Sequence, residues 1–434
     1  MNCPVPSLYF VHYDLYHLPL MYRPRALDAE LRRRLEALGA VLIEGPKACG
    51  KTETARQLAR SEVLLDIDAQ ARRAASIDPS LVLEGETPRL IDEWQLVPEV
   101  WNHVRREVDR RAGTGQFILT GSAVPPDDET RHTGAGRMTR IQMRPMSLLE
   151  TGHSDGSISV GDLLDGGTVR SADTGLTVRD LAERIAVGGW PAIQELKQEE
   201  ALHANRSYLD EVRRVDINRV GDARRDPERV AALLRSLARN VATYAGVSTL
   251  AADTSGGGEP LKRDTVAQYL EALRRLKVLE DQPPWAPHLR SKHAQRSQAK
   301  RHFICPSLAV AALRGSATTI LDDPNYLGFL FESLVTRDLR IYVQASDAEV
   351  FQYKDQDLEV DAVVRAVDGR WAAFEIKLGQ SQIDEGARNL LKFSNRVDTS
   401  KTGEPGTLAV ITGTGYGYVR EDGISVIPIG ALGP

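Results

Sequence analysis

The chain has 434 residues, enough for about three domains at roughly 150 residues each. Its 42% hydrophobic and 26% charged fractions and its formal net charge of −5 are those of an ordinary globular protein, so overall charge announces no nucleic-acid partner and any basic surface has to be local. Cys3, Cys49 and Cys305 lie far apart with no C-x-x-C pair, which excludes a disulfide framework and a cysteine zinc site and fits a reducing cytoplasm.

Residues 1–22 are rich in Tyr, Leu and Pro, lack a basic leader region and read as an N-terminal arm. No apolar run approaches the length of a membrane span. From 23 to 150 apolar strand candidates (41–43, 63–67, 89–92, 117–119) alternate with helix candidates (28–38, 51–60, 98–112), which predicts a parallel sheet covered on both faces.

Within that region GPKACGKT, residues 45–52, matches the phosphate-loop pattern G-x-x-x-x-G-K-[ST] at every fixed position, after a strand and before a helix. Gly45, Pro46, Lys47, Ala48, Cys49 and Gly50 are expected to wrap a phosphate chain, with the backbone N–H groups of all but Pro46, which has none, turned toward it. Lys51 is expected at the β- and γ-phosphates and Thr52 on Mg²⁺, which implies ATP and Mg²⁺ as ligands.

Phosphate binding alone is not hydrolysis, which needs a second acid at the metal and a base for the attacking water. RLIDE at 89–93, an apolar strand ending in two acids, offers Asp92 for the metal and Glu93 for the water. FILTGS at 117–122 is a further strand ending in hydroxyls, and Ser122 is the candidate for sensing the γ-phosphate. In RHTGAGRMTR at 131–140, Arg137 beside Gly136 is the candidate for stabilising charge in the transition state, ahead of Arg131 and Arg140.

Residues 151–175 read as a long loop within a segment, 151–225, that becomes helical with one break at Gly188-Gly189-Trp190-Pro191. From 226 to 303, Val230, Leu233, Leu234 and Leu237 share one helical face, and Val266, Leu270, Leu273 and Leu276 share another. With Lys262, Arg263, Gln268, Arg274 and Arg275 outside and a basic run at 288–302 (Arg290, Lys292, Arg296, Lys300, Arg301), the segment reads as a winged helix that makes DNA a candidate partner.

In the last segment, 304–434, residues 359–366 and 371–378 alternate in polarity around Asp368-Gly369. Matching their apolar faces excludes a two-residue loop and requires three residues, 367–369, with Gly369 left-handed. That register sets Asp361 opposite Glu375 and Glu359 opposite Lys377. Asp361 and Glu375 then suit a shared divalent metal, Lys377 a developing negative charge, and Glu332, on a helix expected at 327–339, a further carboxylate.

The motifs GPKACGKT, LIDEWQ, FILTGS, GRMTRIQMRPMSLLETG, GGWPA, LFESLVTRDL, LEVDAVV and FEIKLG, taken together, resemble the prokaryotic ATPases that join an AAA-type P-loop domain to a C-terminal domain of unknown function, DUF4143, related to PD-(D/E)xK nucleases. The resemblance spans 22 to about 393. It implies an α/β protein with an ASCE-type ATPase core, a winged-helix middle and a nuclease-like α/β end. By motif, Lys51, Thr52, Asp92 and Glu93 take the ATPase roles, and Glu332, Asp361, Glu375 and Lys377 the nuclease-like positions. The leading expectation is a cytoplasmic ATP hydrolase coupled to a DNA-directed C-terminal module, with no membrane association and with oligomerisation left open. The alternatives are an ATP-regulated nuclease and a nucleotide-gated scaffold.

Overall fold

The computed structural model describes residues 22–122, 133–220, 225–255, 259–288 and 298–434. Apart from Tyr22, the expected N-terminal arm lies outside the described residues, as do Arg131, Arg290, Lys292 and Arg296.

The first unit is a five-stranded sheet of β1 (Ala40–Glu44), β2 (Ser61–Leu64), β3 (Arg89–Asp92), β4 (Phe117–Gly121) and β5 (Met138–Gln142). The order is β2-β3-β4-β1-β5 and every pairing is parallel. Helices α1 (Leu27–Ala37) and α2 (Lys51–Arg56) cover one face; α3 (Ala69–Ile77) and α4 (Val100–Arg111) cover the other. Along β1, Ala40 and Leu42 enter one core while Val41 and Ile43 enter the second. Burial on both faces is why the central strands β1 and β4 read as apolar runs, whereas the edge strands β2 and β5 are only partly buried. Strand β4 lies between β1 and β3, which spaces the phosphate loop one strand away from the acids that end β3.

The segment expected as a long loop after Thr151 is structured. Strand β6 (Ile158–Ser159) leads into α5 (Val160–Leu164), followed by α6 (Val178–Val187) and α7 (Gln198–Arg214). The Ser159 side chain caps α5, and Thr177 with Asp180 forms a capping box on α6. Ser159, which composition assigns to the loop, is thus a helix start, while α6 and α7 fall where helix is expected. The turn before Trp190 requires glycine, since a Cβ on Gly189 would lie 2.2 Å from the Met146 carbonyl oxygen. Next come α8 (Pro227–Arg239), α9 (Val247–Asp253) and α10 (Arg263–Arg275), then two antiparallel bridges, Leu279 with Phe303 and Gln282 with Lys300. Val266, Leu270, Leu273 and Leu276 are all buried, as the helical spacing predicts.

Helices α11 (Ser307–Ala312), α12 (Ala317–Leu321) and α13 (Pro324–Tyr342) precede a six-stranded mixed sheet. Its strands are β7 (Ala348–Asp355), β8 (Leu358–Ala366), β9 (Trp371–Lys377), β10 (Thr407–Thr412), β11 (Tyr418–Val419) and β12 (Ser425–Pro428), in the order β11-β12-β10-β9-β8-β7. Helix α14 (Ile383–Arg396) crosses between the parallel strands β9 and β10. Strand β13 (Leu432–Gly433) pairs with β6, far back in the chain. One apolar core accordingly runs from Leu148 through α6–α13 to Leu432.

The expected hairpin register is observed over four pairs, from Ala362 with Phe374 to Arg365 with Trp371, around a loop whose Gly369 has φ +98°; the expected partners Asp361 with Glu375 and Glu359 with Lys377 lie beyond the paired stretch. The expected division into one polar and one apolar face is not observed. Phe351 on β7 pairs with Val363 on β8, whereas Tyr353 pairs with Val360, so Asp361 and Ala362 together oppose Gln352. This β-bulge sends Val360 into the same core as Val363 and Trp371, beneath α14, instead of beside Ala362 and Val364.

Candidate functional site

The phosphate loop leaves the end of β1 and enters α2 through Gly50, whose φ of +103° is left-handed. A Cβ on Gly45 would come within 2.4 Å of the Met143 carbonyl oxygen, so the first fixed glycine is required by close approach to the strand end beside it. Lys51 is buried and its Nζ donates to the carbonyl oxygens of Gly45 and Pro46 at 3.1 and 2.9 Å.

Thr52 Oγ1 donates to Asp92 Oδ1 at 2.8 Å, which joins the two motifs across 40 residues of chain. Thr120 Oγ1, from β4, hydrogen-bonds the same carboxylate oxygen. Glu93 stands just past β3 in the left-handed region, φ +54°, and its Oε2 accepts from Ser122 Oγ at 3.1 Å and from Gln95. The two adjacent acids are thus each held by hydroxyls, Asp92 by Thr52 and Thr120 and Glu93 by Ser122. Thr52 Oγ1 and Asp92 Oδ1 form an all-oxygen pair at the loop and fit a Mg²⁺ ion, which prefers such donors.

The loop's backbone is held from outside by residues the motifs did not single out for this. Arg25 Nη1 donates to the Cys49 carbonyl oxygen at 2.9 Å, and Trp190 Nε1 to that of Lys47 at 3.0 Å. Lys47 Nζ pairs with Asp216 at 2.5 Å. Trp190 had a signal, the Gly-Gly-Trp-Pro break; Arg25 and Asp216 had none beyond their charge.

Arg137 is not brought to the phosphate loop of its own chain. Its carbonyl oxygen accepts from Ala40 N at the start of β1, while the loop follows Glu44 at the other end of that strand. Its Nε pairs with Asp109 at 2.7 Å on the surface. A strand of five residues separates the two ends by about 16 Å, beyond a side chain's reach.

In the C-terminal body Glu332, Asp361, Glu375 and Lys377 line one cleft of about 880 Å³, together with Glu359, Arg388 and Lys392. The β8–β9 ladder stops at Ala362 and Phe374, and Ile376 N donates to Asp361 Oδ2 at 2.9 Å. Glu375 Oε1 accepts from Asn389 at 2.6 Å, and its Oε2 pairs with Lys377 at 3.0 Å. Burial pushes the Glu375 carboxyl up to about 8, with the Asp361 charge adding to it and Lys377 opposing.

The residue missed from sequence is Lys300. Its side chain is 1% exposed, and its Nζ lies 2.6 Å from Glu332 Oε1, 2.9 Å from Glu359 Oε1 and 3.4 Å from Asp361 Oδ1. Burial opposes its charge, but the three carboxylates around it override that and raise its pKa well above the ordinary lysine value. The described end of the basic run therefore does not face a phosphate backbone. Lys300 and His302 are buried, and Arg301 pairs with Asp281 at 2.5 Å. Arg274, expected on an outer face, likewise pairs with Asp281, at 2.7 Å.

Among the described residues no helix is long and apolar enough to cross a membrane. The fold and the loop define the class, a P-loop ATP-binding protein of the ATPase kind. The AAA domain family matches residues 38–152, a Domain of unknown function (DUF8612) matches 178–319, and a Domain of unknown function (DUF4143) matches 327–432. The chain is thus an AAA-domain protein with a C-terminal DUF4143 domain. An uncharacterized protein of Mycobacterium bovis and one of Mycobacterium tuberculosis are each 26% identical over 370 residues, covering 82% of this chain and 74% of theirs. Among solved structures, the Walker-type ATPase PABY2304 of Pyrococcus abyssi is 14% identical with a TM-score of 0.40, over 68% of this chain and 99% of that one. The ORC2 protein of Aeropyrum pernix is 11% identical with a TM-score of 0.31, over 69% and 93%. At these scores neither structure bears on what this chain does.

Proposed function

We propose that the chain hydrolyses ATP at residues 45–52 and passes its nucleotide state to a DNA-directed module in residues 226–303. The observation behind the first half is the Thr52–Asp92 hydrogen bond, which brings the motif's metal-side hydroxyl onto the strand-end acid. Residues 45–50, apart from Pro46, which has no N–H, supply backbone donors, Lys51 neutralises the β- and γ-phosphates, and Thr52 and Asp92 would hold Mg²⁺. Mg²⁺, when bound, withdraws charge from the phosphate oxygens. Glu93 takes a proton from the attacking water, and Ser122 positions the Glu93 carboxylate. Arg137 lies at the far end of β1 from its own chain's loop, so a part for it in γ-phosphate chemistry is one played at a neighbouring copy's site.

The module's support is the three-helix run α8–α10 followed by bridged strands, with Lys262, Arg263 and Gln268 exposed along α10. A route from loop to module runs through Glu44, the residue before Gly45. Its Oε2 pairs with Lys277, just past α10, at 3.0 Å.

Phosphate release and binding of a fluorescent ATP analogue test the site. Lys51→Ala is expected to lose both. Glu93→Gln is expected to keep binding and lose turnover by about 100-fold or more. Undiminished turnover in either variant would overturn the assignment. Lys262→Ala with Arg263→Ala is expected to weaken duplex DNA binding and flatten its salt dependence.

A further inference from the structure

A C-terminal domain related to PD-(D/E)xK nucleases implies a divalent metal between Asp361, Glu375 and a neighbouring carboxylate. The donors here are already committed. Asp361 Oδ2 accepts from Ile376 N, and Asp361 Oδ1 and Glu332 Oε1 face Lys300 Nζ. Both oxygens of Glu375 are engaged, by Asn389 and by Lys377. Among the described residues no group of three His, Cys, Asp or Glu side chains is arranged to hold a metal ion. The residues present do not fit the implied metal.

They fit an ammonium. Lys300 Nζ has three N–H donors, and three separate carboxylates, one from α13 and two from β8, just before the bulge and within it, lie within 3.4 Å of it. Its stem is anchored. The Lys300 backbone exchanges both hydrogen bonds with Gln282, whose side-chain Nε2 donates to the carbonyl oxygens of Phe351 and Asp361 at 2.9 and 2.8 Å. The amine is therefore held in place by the same strand that carries the bulge. A divalent ion bonded to Asp361 would stand within a few ångströms of a fixed positive charge in a buried setting, where repulsion is weakly screened. We infer that Lys300 is a built-in cation that takes the metal's place among Glu332, Glu359 and Asp361, so that the DUF4143 domain of this chain binds its partner without metal-dependent cleavage.

The test is Mn²⁺ titration of the nucleotide-free full chain, read as loss of the free-ion electron paramagnetic resonance signal, in parent, Asp361→Asn and Lys300→Met proteins. Parent and Asp361→Asn are expected to take up the same amount of Mn²⁺. Lys300→Met is expected to take up one further equivalent, which the Lys300→Met, Asp361→Asn double variant loses. An equivalent bound by the parent and lost in Asp361→Asn would overturn the inference, as would a folded Lys300→Met that gains none. If circular dichroism shows Lys300→Met unfolded, the parent and Asp361→Asn pair decides by itself. The titration contains no nucleotide and its variants lie outside the phosphate loop, so its failure would leave the ATPase reading standing.

Discussion

Glu332 is the carboxyl at which the Lys300 cluster sheds its excess negative charge, by holding a proton. Three acids surround one amine, and burial pushes Glu332 up to about 8 even though Lys300 pulls it down; Asp361 and Glu359 add to the rise. The folded chain thus holds a proton that the unfolded chain releases near the ordinary value of 4.5. Stability from this group is full below about 4.5 and is lost as the pH rises through about 8. Denaturant melts from pH 5 to 8.5 should show that decline, and Glu332→Gln should flatten it. Gly45→Ala sets a Cβ against the Met143 carbonyl and is expected to cost about 1–3 kcal/mol in the same assay. Lys51, Thr52, Asp92 and Glu93 were legible because their chemistry is fixed by short spacings. Lys300 was not, since its three partners lie 32 to 61 residues further on and its own neighbours read as a basic surface. Arg137 could not be assigned to its own chain's site or a neighbour's from sequence, because a glycine-bearing loop does not say at which end of a sheet it lies.

At the element scale, the β8–β9 register followed from parity, because two strands with matched faces admit only certain loop lengths. The bulge at Asp361 and Ala362 left no such trace. Both faces of β8 are covered, so a slip in alternation exchanges one buried aliphatic for another and the polarity pattern does not change. The short turn before α7 matters to the phosphate loop through one bond, from Trp190 Nε1 to the Lys47 carbonyl oxygen. Trp190→Phe keeps the ring against Tyr208 but removes that donor. It is expected to raise the KM for ATP by about 3- to 10-fold with little change in kcat, the size of one hydrogen bond. Steady-state phosphate release measures this, and an unchanged KM would show that the bond does not shape the loop.

For the whole molecule, one tie between the ATPase unit and the C-terminal body runs through Glu280. Its carboxylate takes a two-pronged contact from Arg144, at 2.5 and 2.8 Å, and lies 3.6 Å from Arg340 on α13. Burial alone would raise Glu280, but Arg144 and Arg340 override it and hold it down at about 2. Its contribution is present above about 4.5 and disappears as the pH falls through 2. The side chain keeps 23% of its exposure, so Glu280→Gln is expected to cost about 2 kcal/mol, below the range for fully buried pairs. Urea melts at pH 7 measure it. The sequence could not show this tie, because its members come from three segments far apart in the chain.

Ser154 Oγ donates to the carbonyl oxygen of Leu432 at 2.6 Å, 278 residues away, beside the β6–β13 pairing. A ribosome adding about 5–20 residues per second needs about 15 to 55 s to cover that distance. For that interval the AAA sheet is complete and free to fold, while Ile158, Val160 and Leu163 await the strand that covers them. The nascent chain therefore passes through a stage with a finished nucleotide-binding unit and an open apolar flank, the stage at which holding chaperones have most to protect.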